Sequence, residues 1–299
     1  MQQLVRKWIT TCVFWSRRLF IPIALGFLVF SAYSSADRLK PLFVSMSVSG
    51  LVAAWVCWCI AQCIGPLTTM VLARMLGLQI HYRELAFISI VRLPAKYLPG
   101  GIWQSVARFA AYTQLEVKKA DSFTILLTEH LLALGVSAGA GAALMLLSDL
   151  QSLRRIALGV LVAAVVVLAI AAWLALKRSG HKAGRLVEVL MLVGATMLFW
   201  LFASASFCAY WAAVFGLASS DTVQIAACYL VSWAAGFVAP FAPQGLGVFE
   251  WVASHLLPQH QSIGVTVAVV AGFRLVTVIA DFSVWAAAII YARIGTRDV

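Results

Sequence analysis

Apolar residues run through this chain in long, nearly unbroken stretches, and polar residues collect at their ends. Apolar runs of about 18 residues or more read as membrane-crossing helices. The pattern predicts six: Leu19–Ser35, Pro41–Gly65, Lys118–Leu147, Leu153–Leu176, Leu186–Phe215 and Ile263–Ile290. The second is expected to continue as helix through Pro66 towards Leu78, with Arg74 near its end.

Two stretches break the pattern. The first is RLPAKYLPGGIWQSVAR, Arg92 to Arg108. Pro99 cannot donate a backbone hydrogen bond and disfavours helix in the residue before it. Gly100 and Gly101 then permit a reversal. The reading is a half-helix up to Leu98, a break, and a second half-helix from Ile102 to about Thr113, with the pair spanning Tyr82–Thr113. Neither half can cross a bilayer, so the pair enters and leaves on one side. The second stretch is APFAPQGLGVFE, Ala239 to Glu250, inside a pair spanning Thr222–Leu257. With Pro99 laid on Pro243, Gly101 falls on Gly245, Ile102 on Leu246 and Tyr97 on Phe241.

Three spans separate the pairs, so the pairs lie on opposite faces and the two halves are related by inversion. The predicted fold is therefore an all-α polytopic membrane protein, with about six transmembrane helices and two re-entrant helical hairpins in an inverted repeat. One integral membrane domain covers 1–299, with repeat 1 about 19–147 and repeat 2 about 153–292. Interrupted segments at matching places in two halves point to a transport site.

Composition agrees: 63% hydrophobic, 11% charged, mean hydropathy +0.96. The formal charge of +11 does not call for a nucleic-acid partner, because the basic residues sit at helix ends. Arg6, Lys7, Arg17, Arg18, the basic residues around the first pair and the Lys177 loop share one side, while Arg38, Lys40, Arg154 and Arg155 share the other. The positive-inside rule puts both termini and the first pair on the cytoplasmic side of a bacterial-type inner (plasma) membrane. The basic leader and SSAD resemble a secretory signal with cleavage after Ala36, but an uncleaved first span is expected because another follows at once. The six cysteines lie mostly in apolar runs and read as packing residues, with no disulfide framework and no metal site. Gly135, Gly139 and Gly141 in the third span read as close-packing positions.

Helix starts inside the bilayer, at Gly101–Ile102 and Gly245–Leu246, favour anions through unpaired N–H groups and the helix dipole. Arg92 and Lys96 share a helix face, and Arg108 follows on the second half-helix. The three form a basic pocket for a lipid phosphate, or extend to the headgroups. Glu129 and Arg274 lie deep in their spans at equivalent distances from the two breaks, with opposite signs. A charge there costs about 2.5–3.5 kcal/mol. They are expected to face the interior, paired with each other or with Glu250 and Arg108. Asp281, two turns from Arg274, is another possible partner. Such pairing serves as a structural bridge or as a gate. Glu129, His130, Glu250 and Asp281 are the proton-carrier candidates.

YLPGGIWQSVAR, the Glu129 span, PQGLGVFE and FRLVTVIAD together resemble the lysylphosphatidylglycerol synthase/flippase transmembrane domain family, met also as YbhN-like membrane proteins. The resemblance covers nearly the whole chain and is most specific at Pro243–Glu250. It implies movement of a lipid between leaflets; some relatives are associated with hopanoid, polyprenyl-linked sugar or surface-glycan pathways. Bifunctional members carry a soluble aminoacyltransferase domain after the membrane part; with the chain ending at Val299, aminoacyl-lipid synthesis is not expected. Trp103 and Gln104 occupy a place where many relatives carry a further glycine, implying a differently shaped pocket.

The leading expectation is a flippase-like transporter of an anionic lipid or lipid-linked precursor, not an enzyme and without a cofactor. Its substrate-binding residues would be Arg92, Lys96, Tyr97, Pro99, Gly100, Gly101, Trp103, Gln104, Arg108, Pro243, Gln244, Gly245, Gly247 and Glu250. Tyr97 and Trp103 would stack on a sugar or anchor at the interface. The alternatives are a non-transporting partner of envelope-biosynthesis enzymes, and a lipid-modifying enzyme using His130 or His255.

Overall fold

The computed structural model describes residues 26, 29–30, 33–98, 102–148, 153–178, 185–216, 221–239, 242–257 and 262–295. Among them lie ten α-helices and no strand: α1 (Ala36–Val44), α2 (Val48–Met75), α3 (Tyr82–Val91), α4 (Trp103–Gln114), α5 (Lys119–Leu147), α6 (Arg154–Arg178), α7 (Arg185–Phe215), α8 (Asp221–Val238), α9 (Val248–Leu256) and α10 (Ile263–Gly295). Short 3-10 turns at Leu93–Tyr97 and Pro243–Gly245 mark the two breaks.

Among the described residues, five helices are long and apolar enough to cross a bilayer: α2, α5, α6, α7 and α10. The chain is an all-α polytopic membrane protein. Of the first expected span, Leu19–Ser35, only 26, 29–30 and 33–35 lie within the described residues. The second begins later than expected. Pro41 lies in the separate helix α1, and α2 starts after Ser47, whose Oγ accepts from the Gly50 N–H at 3.4 Å. Ser47 supplies the start signal that an apolar count alone passes over. Pro66 lies within α2, as expected.

The first broken pair also differs in detail. Its first α-helix ends at Val91, and Leu93–Tyr97 is 3-10. Pro94 explains this, because it removes a donor and disfavours helix at Leu93.

The two halves share their pattern of neighbours. α2 packs along α7. α3 lies against α2 and α10, as α8 lies against α7 and α5. α4 rests on α5, as α9 rests on α10. The neighbours of 48–147 thus recur in 185–295.

Small residues set the tightest interfaces, as expected where lipid competes equally for apolar side chains. A Cβ on Gly135 would lie 2.7 Å from Leu168, and one on Gly141 would lie 2.8 Å from Val231. Helix α6 buries Ala157, Ala164, Ala171 and Ala175 along one seam and exposes Val162, Val165, Val166 and Trp173 on the remainder. A helix apolar all round with one small-residue seam packs by the seam and turns its bulk to lipid. Cys208 and Cys228 are core residues, whereas Cys63 is exposed on α2, so packing does not account for every cysteine. An aromatic cluster of Phe207, Tyr229, Phe249 and Phe273 ties α7, α8, α9 and α10 around the second break.

Candidate functional site

Three ion pairs gather around the breaks. Sequence left the partners open; the structure assigns them. Glu129 does not meet Arg274. It pairs with Arg108, across α4 and α5: Nη1 lies 2.8 Å from Glu129 Oε2, and Nη2 donates to Oε1 at 3.0 Å. Nη2 also reaches Thr69 Oγ1 at 3.1 Å and the Tyr112 hydroxyl at 2.8 Å. The Thr69 hydroxyl donates to Glu129. Arg274 pairs with Glu250, across α9 and α10, and donates to the Gln244 carbonyl at 3.2 Å. Each half therefore carries one ion pair between its second half-helix and the span that follows. The polarity is reversed between halves: the half-helix supplies the cation in the first and the anion in the second.

Asp281 does not partner Arg274. It is 1% exposed and sits on α10 facing α2 and the first break. Its Oδ1 accepts from Trp58 Nε1 at 2.9 Å and Gln62 Nε2 at 2.7 Å; its Oδ2 accepts from Tyr97 and pairs with Lys96. The Tyr97 ring stacks on Phe282 at 6.1 Å.

These partners revise the expected basic pocket. Lys96 and Arg108 are each already matched by a carboxylate. Arg92 acts as a staple, its Nε donating to the Ala107 carbonyl at 3.0 Å and Nη1 to the Ile88 carbonyl at 3.2 Å, which ties α3 to α4. Pro99, Gly100 and Gly101 lie outside the described residues. Trp103 is exposed at the start of α4. Gln104 and Arg108 line a cleft of about 170 Å³ between α2, α3, α4, α5 and α7, together with Gln62, Thr68, Thr69, Ser89 and Glu129. In that cleft wall, Arg108 Nε and Ser89 Oγ are buried without a hydrogen-bond partner among the described residues. A buried donor left unmatched costs about 1–3 kcal/mol.

The second break is closed differently. Pro243–Gly245 forms its turn, with Gln244 at φ 55°, Gly245 at φ 65° and Gly247 at φ 81°. Gly245 is pressed against Gly236 of α8. The start of α9, expected at Gly245–Leu246 as an anion site, falls at Val248, and its Gly247 N–H is taken by Glu250 Oε2 at 2.6 Å. A resident carboxylate thus occupies the helix end where an external anion was expected.

His130 is held at both nitrogens. Nδ1 lies 2.6 Å from the Leu126 carbonyl, and Nε2 lies 3.3 Å from the Ser105 hydroxyl. Its ring lies 5.8 Å from Phe237 of the other half. His255 bonds the Trp251 carbonyl one turn back. Trp58, Gln62, Thr69 and Tyr112 were not singled out from sequence. The one available signal was Gln62, an amide midway along an apolar span.

Comparison with protein-family models and with curated proteins gives no match to this chain. The class therefore rests on the fold itself: a helical membrane protein with two broken helices and charges buried beside each break.

Proposed function

We propose that this protein is a flippase-like transporter, moving an anionic lipid or a polyprenyl-phosphate-linked sugar between the leaflets of a bacterial-type inner membrane. The first break dips from the cytoplasmic side and the second from the outer side. The headgroup enters the cleft at the first break while the tail stays against the apolar helix faces. The observation that carries this reading is the buried, unmatched Nε–H of Arg108 in the wall of a largely apolar cleft that also presents Gln62, Thr69, Gln104 and Glu129. Unmatched buried donors in a cleft await an acceptor, and a phosphate oxygen supplies one with charge assistance. Ser89 adds a hydroxyl beside it. The repeated helix–break–helix arrangement supports two alternating openings.

Reconstitution tests it. Liposomes carrying the purified chain and a fluorescent phosphatidylglycerol should expose more label to a membrane-impermeant quencher than empty liposomes do. Arg108→Leu should lower the rate about tenfold or more, the scale of one lost charged hydrogen bond. Equal rates for an anionic and a zwitterionic label, unaffected by Arg108→Leu, would refute the proposal. Chemical alteration of the lipid would instead indicate an enzyme.

A further inference from the structure

The cleft and the Asp281 cluster share a wall. Gln62 lines the cleft and donates to Asp281, and Leu93, at the start of the turn that carries Lys96 and Tyr97, lines it as well. A ligand phosphate in the cleft would touch Leu93, three residues before Lys96, whose own side chain does not line the cleft. We infer that Asp281 is a proton-binding site linked to anion occupancy of the cleft: Lys96 leaves Asp281 for the ligand phosphate, and the Asp281 carboxylate takes up one proton. The inference rests on the lipid-transport reading above and names its coupling ion.

Charge balance makes the argument. At rest, Lys96 and Asp281 neutralise each other in an interior where an unmatched charge is expensive. Once Lys96 turns to a phosphodiester, the carboxylate keeps only Trp58, Gln62 and Tyr97, all neutral donors. One proton on the carboxylate restores neutrality, so one anion and one proton enter together. The charged and titratable groups facing Asp281 are Lys96 and Tyr97 from the turn and Cys59 from α2; Arg274 lies on its own helix. Among these, Lys96 is the cation paired with the carboxylate. Glu129 stays with Arg108, Thr69 and the cleft.

Infrared difference spectroscopy on the full chain in detergent reads the proton directly. Lys96→Met mimics the state in which the lysine has left. It should show a protonated-carboxyl C=O stretch that the wild type lacks and that Lys96→Met/Asp281→Asn loses. Adding dioctanoyl phosphatidylglycerol, a phosphodiester that does not titrate near neutrality, should raise the same band in the wild type but not in Asp281→Asn. Its affinity should weaken about tenfold per pH unit where the carboxyl is protonated only in the bound state. Absence of the band in Lys96→Met overturns the proton site. A probe that binds the wild type without the band overturns the link. Failure of the wild type to prefer the anionic probe over dioctanoyl phosphatidylcholine defeats the transport reading, and this inference falls with it.

Discussion

Gly245 offers a sharp test of the second break, because two separable penalties meet there. It has φ 65°, so an alanine would sit in the left-handed region at a cost of about 1–2 kcal/mol. Its new Cβ would also lie 2.8 Å from Gly236 Cα and 3.0 Å from Gly236 C. Those are backbone atoms and cannot swing aside. Overpacking of that kind costs about 1–3 kcal/mol more, giving roughly 2–5 kcal/mol in all. Gly77 isolates the first term: its φ is 76°, yet nothing lies within 4 Å of its Cβ position. Gly77→Ala should therefore cost about 1–2 kcal/mol. Unfolding of the purified variants in one detergent, followed by tryptophan fluorescence, should rank wild type, Gly77→Ala and Gly245→Ala in falling order. If Gly245→Ala is no worse than Gly77→Ala, the backbones of α8 and the turn do not touch, and the described closure of this break is wrong.

The remaining predictions concern charge and packing. Glu250→Gln should destabilise the chain by about 3–5 kcal/mol in the same assay, because Arg274 loses its carboxylate and α9 loses its charged cap; Glu250→Gln/Arg274→Met should be less damaged than Glu250→Gln alone. Arg108→Lys keeps the charge but loses the fork that reaches Glu129, Thr69 and Tyr112, so leaflet exchange should fall about tenfold or more. Gly135→Leu should part α5 from α6 and lower the unfolding midpoint, whereas Gly159→Leu, with nothing within 4 Å, should not.

How much could be read in advance depended on the kind of signal. Span-length apolar runs placed α5, α6, α7 and α10 to within a few residues, because bilayer thickness fixes their length. The Pro and Gly cluster at Pro243–Gly247 located the second break; in the first stretch the α-helix ends already at Val91, and Pro99–Gly101 lie outside the described residues. Pro94 and Ser47 moved boundaries because a proline or a capping hydroxyl acts locally, beneath the scale of hydropathy. Partners were harder. Glu129 and Arg274 stood out as costly charges, and Arg108, Glu250 and Asp281 as candidate partners, but the pairing depends on three-dimensional neighbours. Arg274 and Asp281 share a helix, yet Asp281 turns to α2 and Lys96 while Arg274 turns to Glu250. Trp58, Gln62 and Tyr112 carry no charge, and their donors and acceptors became visible only once the helices were packed.

The proposed entry of the two breaks from opposite faces can be tested with single cysteines in a background lacking the native ones. Gln104, half-buried beside the first break, and Gln244, exposed in the second, are suitable positions. An impermeant maleimide applied to right-side-out and inside-out vesicles should label Gln104→Cys from the cytoplasmic face and Gln244→Cys from the outer face. Labelling of both from one common face would contradict the account.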